Sequence, residues 1–245
     1  MGFLNQHPFA VEARFEKSLV LGFALPKAEL LGRIPKCLQL DLFEDQWAFV
    51  AVAMVKTEGL RPRGLPRFFG RNFTLIGYRI FVRYRSADGR LLRGLYILGS
   101  ETDSKMMQGL GSLFTQYQYS TLAIDWESGA DGSERVVSSE GLEVLASKVE
   151  SDVALPQGSP FVSWKQARQF AGPMPFTFSY DEKKQQVIIV EGKRSVWQPQ
   201  AMSVDTWKVP FLEKQGFDQT QLANAFLVEN VPYEWEKGRV ETWRP

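Results

Sequence analysis

The chain carries a single cysteine and a single histidine among its 245 residues. One cysteine, Cys37, excludes an internal disulfide and any multi-cysteine metal site, and one histidine, His7, near the terminus, excludes a histidine cluster. Zinc chemistry and a Ser-His-Asp arrangement are thereby set aside, and no cofactor is expected. Net charge is also scarce: 29 Lys and Arg against 28 Asp and Glu leave +1, too little to draw the molecule to nucleic acid or a membrane surface. The apolar run from Leu19 to Leu25 is far shorter than the ~20 residues of a spanning helix. No basic segment precedes it, and Gln6 stands where a myristoylated Gly2 needs serine or threonine downstream. The expectation is a cytoplasmic protein whose partner is a small molecule, with no nucleic acid and no membrane, and with homo-oligomerisation left open.

What is present points to strands. Aromatic residues make up 13% of the chain, and many short segments are punctuated by 20 glycines and 13 prolines, a composition that favours a β-rich globular fold. The only candidate linker, Pro156 to Pro160, reads as a loop, so residues 1–245 are expected to form one domain. Charge is unevenly spread: between Lys56 and Arg93 ten basic residues face only Glu58 and Asp88. An anion-binding surface on the Arg61–Arg71 loop is one reading of this. Solvated strand faces are the other, since no aromatic residues interleave as in RNA-binding surfaces.

The stretch from Tyr78 to Tyr119 organises the rest. Tyr78, Ile80, Val82 and Tyr84 fall on one side of an extended segment and Arg79, Phe81, Arg83 and Arg85 on the other. Ser86-Ala87-Asp88-Gly89 is a hairpin turn, and Leu91 to Leu98 returns as an antiparallel strand. Met106, Met107, Leu110, Leu113 and Phe114 then recur at helical spacing, with Thr102, Asp103 or Ser104 as N-cap. Gly109 and Gly111 each weaken that helix by roughly 1 kcal/mol, which suggests close approach to another backbone. Elsewhere, Val11–Lys17 alternates as a half-buried strand, Pro26 opens a short helix ending at Gly32, and Leu38, Leu40 and Leu42 mark a strand. Trp47–Val55 is apolar on both faces and reads as the core strand. Further strands are expected at Thr121–Trp126, Glu134–Ser138, Leu142–Val149, Phe176–Tyr180, Gln186–Glu191, Phe226–Glu229 and Tyr233–Glu236. Ser163 and Gln166 match a capping box for a helix broken at Gly172-Pro173-Met174-Pro175, and Gln219–Ala225 suggests a short helix.

The segments Leu38-Gln39-Leu40-Asp41-Leu42-Phe43, Gly59-Leu60-Arg61-Pro62-Arg63-Gly64-Leu65-Pro66, Tyr78-Arg79-Ile80-Phe81-Val82 and Phe170–Phe178 together resemble a bacterial family, domain of unknown function 2071, over nearly the whole chain. That family is itself similar to acetoacetate decarboxylases. The resemblance implies an α+β, mostly β fold: a curved, mostly antiparallel sheet closing into a cone-like barrel around a largely apolar cavity, with a few short helices. Acetoacetate decarboxylases form a Schiff base on a lysine in a segment just after the glycine-containing helix. Here that segment reads Phe114-Thr115-Gln116-Tyr117-Gln118-Tyr119, and placing it by the preceding elements puts Gln118, or a near neighbour, where the nucleophile would stand. An amide cannot form an imine. Lys105 at the helix start and the Lys183-Lys184 pair are the other lysines considered, and both read as solvated.

The candidate ligand-binding residues are therefore Arg79, Glu101, Gln118 and Tyr119. Arg79 falls at the family's strand arginine, where its planar guanidinium would pair with a carboxylate or enolate oxygen; an exterior ion pair is the alternative. Glu101 and Asp103 would supply a carboxylate for acid-base work or cap the helix, and Tyr117 and Tyr119 would point the same way if extended. The expected function is binding of a small, partly apolar carboxylate or carbonyl compound without Schiff-base catalysis. The alternative is a lyase or hydrolase-like enzyme acting on a β-keto or related acid.

Overall fold

The computed structural model describes residues 4–149, 153–172 and 174–244. Gly2 and Pro173 lie outside them. A single 3-10 turn, Leu4–Gln6, leads into β1 (Val11–Pro26), α1 (Lys27–Leu31), β2 (Gln39–Leu40) and β3 (Trp47–Pro62). After a second 3-10 turn, Arg67–Phe69, come β4 (Arg71–Arg85), β5 (Leu91–Thr102), α2 (Lys105–Phe114), β6 (Tyr119–Thr121), β7 (Ile124–Ser128), β8 (Glu134–Ser138) and β9 (Glu143–Lys148). The remainder is α3 (Trp164–Phe170), β10 (Phe176–Asp181), β11 (Gln186–Arg194), β12 (Gln200–Lys208), α4 (Pro210–Lys214), β13 (Gln221–Trp235) and β14 (Arg239–Thr242).

Strand pairing closes a ring. The path runs β11-β10-β5-β4-β3-β1-β13, and β11 then pairs β13 directly through Gly192↔Trp235, Lys193↔Glu234 and Arg194↔Tyr233. All these ladders are antiparallel except β5–β10, where Gly94 faces Phe176 so closely that a Cβ would lie 2.2 Å from the Phe176 carbonyl oxygen. A meander of β7, β8, β9 and β12 extends from β13. No helix among the described residues is long and apolar enough to cross a membrane.

The centre of the ring is β3, whose residues Ala48 to Val55 are all buried, as a strand covered on both faces must be. Its even-numbered side chains, Val50, Val52 and Met54, join Leu19, Leu21, Ile80 and Val82 in the larger apolar core outside the ring wall. The odd-numbered Ala51, Ala53 and Val55 face the interior. Small residues on the inner side leave room, and large ones outside fill it.

Expected elements differ from the observed ones in physically instructive ways. The short helix at Gln219–Ala225 is instead the first part of β13, which continues without interruption through both expected closing strands. Its apolar residues fall at alternate positions on two buried faces, so helical and extended periodicity coincide over a short window. The Leu38–Leu42 strand shrinks to Gln39–Leu40, because Asp41 turns to meet arginines. The capping Ser163 accepts from the Gln166 backbone as expected, while the Gln166 side chain accepts from Val162 rather than from Ser163.

Candidate functional site

Inside the ring lies a cavity of about 220 Å³. Its wall follows the period of two: Ala51, Ala53 and Val55 from β3, Phe73, Leu75, Arg79 and Phe81 from β4, and Asn224, Phe226 and Val228 from β13. Val11, Phe15 and Val20 line it from β1, and Leu95 and Ile97 from β5. The N-terminal segment closes one side: His7 lines the cavity, its backbone N–H donates to Phe114 at 2.9 Å, and Phe9 meets the Phe114 ring edge-on at 5.0 Å. His7, near the terminus in sequence, is thus built into the wall. Burial holds its imidazole below the ordinary range.

Arg79 is the charged residue that β4 contributes to the cavity lining. Its bulky side chain enters between Ala51 on one neighbouring strand and Ile97 on the other, at a bulge where Tyr78 pairs Gly99 but Arg79 pairs Ile97. Gly77 comes two residues earlier on the same inward face, and a Cβ there would stand 2.8 Å from the Arg79 Nε. The absence of that Cβ lets the guanidinium fold back along its own strand. What surface Arg79 retains is surface of the cavity. No carboxylate pairs with it among the described residues, and its buried Nε has no hydrogen-bond partner. Burial lowers its pKa, and the nearby hydroxyls of Tyr233, Tyr119 and Tyr117 act the other way. Guanidinium stays charged across the accessible pH range, so this is an uncompensated cation facing an apolar hollow.

The alternation that admits Arg79 disposes of the other arginines. Phe81 packs inward, and Arg83 reaches Asp41, which is fully buried and also bonded by Arg93. Arg85 ends at the Gly89 carbonyl of the hairpin turn. Only Arg79 of the four same-face residues brings charge into the cavity. On the Arg61–Arg71 loop, Arg61 pairs Glu12 at 2.5 Å and Arg63 pairs Glu236 at 2.9 Å.

Tyr117 and Tyr119 both project into the cavity from the segment after α2. The Tyr119 ring lies over Gly111 of that helix, where a Cβ would approach within 2.5 Å. The expected backbone approach is therefore a side chain, and it concerns Gly111 alone, since nothing lies within 4 Å of a Cβ on Gly109. Burial pushes the Tyr119 hydroxyl up to about 12 and Tyr117 higher still, with Arg79 opposing both.

Two of the four sequence candidates stand elsewhere. Glu101 occupies the outward face of β5, since its neighbour Ser100 is the one that lines the cavity; its carboxylate accepts from the Tyr78 hydroxyl at 2.7 Å. Burial raises the Glu101 pKa and that bond lowers it. Asp103 accepts from the Thr74 backbone, leaving Ser104 as the N-cap of α2. Gln118 lies between the two inward tyrosines, so its exposed side chain turns out, toward a second hollow, of about 240 Å³, beside Tyr96 and Tyr180. The structure thus brings Arg79 and Tyr119 together and leaves Glu101 and Gln118 outside.

Several cavity residues escaped sequence reasoning. Asn224 sits opposite Gly22 in the β1–β13 ladder, its amide Nδ2 buried without a partner. Its signal was a polar residue inside an alternating apolar strand, hidden by the helical reading. Tyr233, whose hydroxyl stands over Gly192, and Arg194 and Trp197 add to a polar lining that also includes Ser18, Thr57, Ser100, Thr115 and Thr177. Among the described residues, no Asp, Glu or Lys lines the cavity, Lys105 and the Lys183-Lys184 pair are exposed, and no cluster of His, Cys, Asp and Glu could hold a metal ion.

The chain's sequence matches the model of domain of unknown function 2071, an uncharacterized conserved protein, over residues 12–234. No curated protein matches it. Among solved structures, an acetoacetate decarboxylase-like enzyme from Sphingomonas wittichii RW1 is similar at 11% identity, with a TM-score of 0.61 over 97% of this chain and 94% of that one. Acetoacetate decarboxylase from Legionella pneumophila subsp. pneumophila str. Philadelphia 1 is similar at 11% identity and TM-score 0.61, over 97% and 90% of the two chains. The enduracididine biosynthesis enzyme MppR complexed with pyruvate gives 9% identity and TM-score 0.62, over 97% and 92%. At such identity the likeness is one of fold, and the fold is that of acetoacetate decarboxylases.

Proposed function

We propose that this chain, which belongs to the family of domain of unknown function 2071, binds a small, partly apolar carboxylate or carbonyl compound in its cavity, with the anionic oxygen on Arg79 and without a Schiff base. The observation that carries the reading is the Arg79 guanidinium, which faces the cavity with no carboxylate beside it among the described residues and with its buried Nε unpaired. Burying a cation without a counter-ion is costly, and a ligand carboxylate offsets that cost with charge-assisted, bidentate hydrogen bonds. The apolar remainder of the ligand would lie against Ala51, Phe81 and Phe226. An imine requires a neutral lysine amine, and no lysine lines the cavity among the described residues. An enzyme of the same fold is complexed with pyruvate, itself a small carboxylate.

The test is calorimetric titration of pyruvate, acetoacetate and butyrate into the wild type and Arg79→Gln. Binding of one or more of these acids, weakened about tenfold or more in the variant, is expected. Unchanged affinity in Arg79→Gln would remove the basis of the proposal. Borohydride added with acetoacetate should leave the protein mass unchanged; a stoichiometric adduct would restore imine chemistry.

A lyase or hydrolase-like reaction on a β-keto acid is the second reading. It rests on the position of Tyr119, whose hydroxyl lines the cavity with Arg79 and, protonated at neutral pH as any tyrosine is, stands within the reach of an enolate held by that arginine. Release of carbon dioxide from acetoacetate, lost in Tyr119→Phe, would favour it.

A further inference from the structure

Arg194 brings a second cation into the same cavity. It ends β11 where that strand pairs β13, directly across from Tyr233, so the two side chains share the inner face. Its guanidinium lies over the Trp197 ring, 3.9 Å from the centroid, and no carboxylate pairs with it among the described residues. The buried Trp197 indole N–H likewise has no partner. Tyr233 is the common electrostatic neighbour of Arg79 and Arg194, and burial, rather than mutual repulsion, lowers the pKa of each arginine. The cavity therefore presents two cations on different strands, with unpaired donors at Arg79 Nε, Trp197 Nε1 and Asn224 Nδ2 and, among the described residues, no acidic one in its lining. A monocarboxylate on Arg79 leaves Arg194 and Trp197 unmatched.

We infer that the ligand is a dianion, a short dicarboxylate with one carboxylate on Arg79 and the other on Arg194 and the Trp197 N–H. The inference rests on the carboxylate reading of Arg79 above. Size is compatible: a cavity of about 150 Å³ holds benzene, and this one measures about 220 Å³, room for a chain of a few carbons between two carboxylates.

The experiment is titration of monocarboxylates (butyrate, pentanoate, hexanoate) against dicarboxylates of equal carbon number (succinate, glutarate, adipate). At least one dicarboxylate should bind about tenfold or more tightly than its monocarboxylate counterpart. Arg194→Gln should bring that ratio to about one, and Trp197→Phe, which removes the N–H and keeps a ring, should reduce it. Equal binding of both series by the wild type would overturn the dianion and leave the Arg79 reading standing. Failure of every acid to bind would sink the Arg79 reading itself. A preference that persists in a folded Arg194→Gln would also overturn the assignment, and the wild-type series decides the matter even if that variant does not fold.

Discussion

Gly109 and Gly111 lie two residues apart in α2, and replacing each with alanine should move stability in opposite directions. Both substitutions gain the same helix propensity, about 1 kcal/mol. At Gly109, exposed and with nothing within 4 Å of the new methyl, that gain stands alone. At Gly111 the methyl would meet Tyr119 ring carbons at 2.5 and 2.7 Å, whereas carbon atoms prefer about 3.5–4.0 Å, so the ring must retreat by roughly 1 Å. β6 fixes the Tyr119 backbone beside Ser100, so the ring must swing out of its place against the helix and further into the cavity. Overpacking of this kind costs about 1–3 kcal/mol. Because the propensity gain cancels between the two variants, their difference isolates the clash. In a chain of this size a separation of ~2 kcal/mol corresponds to about 4–8 °C in Tm. Urea unfolding followed by tryptophan fluorescence, with Tm as a second readout, measures it. Equal stability of the two variants would refute the account of how Tyr119 is held.

Arg79→Met should raise the Tm of the ligand-free protein, by about 1 kcal/mol or more in stability, since it removes an unpaired buried charge while keeping volume; a lower Tm would mark the guanidinium as structural. Val50→Asp, at a position with no exposed surface in β3, should cost more than about 4 kcal/mol and abolish the native circular dichroism spectrum at 25 °C; a native-like spectrum and melt would show that β3 is not central. Glu134 supplies the pH prediction. Burial alone would raise its pKa, but Lys17, Trp126 at 2.6 Å and Ser128 at 2.7 Å together bring it below 4.5. A carboxyl whose folded pKa is depressed contributes stability that is complete above the unfolded value and lost as pH falls through the folded one, so Glu134→Gln should flatten the acid limb of stability below about pH 4.5. An unchanged acid limb would show that these bonds do not favour the ionised form.

Much of this fold was legible because its strands obey a simple period. The two-sided apolar run of β3 and the alternation of Tyr78 to Arg85 each fix a face, and Asp88-Gly89 fixes a turn. Alternation also separates Arg79 from Glu101, but only once the bulge between Tyr78 and Arg79 is known, because it resets which β5 residues face inward. Its local mark is Gly99 beside the extra residue Leu98, but Gly77 and Gly94 stand in the same two strands without one. Arg194 and Trp197 were invisible for a different reason. They lie at and beyond the end of a strand expected to stop at Glu191, and their chemistry depends on a closure between β11 and β13 that joins distant segments. Tyr233 was assigned to a closing strand without any indication of which side it took.

Four polar side chains of the cavity stand over places where a Cβ is missing: Arg79 over Gly77, Tyr119 over Gly111, Tyr233 over Gly192 and Asn224 beside Gly22. Each pair is one unit of shape written at two addresses. A relative that fills position 77 would have to shorten or redirect its arginine, and one that replaces Asn224 with a small residue would release position 22 to carry a side chain. Substitutions within a pair should therefore compensate one another, and the glycines should vary in step with the polar residues they accommodate. Read this way, the outline of a related protein's binding cavity could be traced from where its inward strand positions are empty, before any of its charged groups is considered.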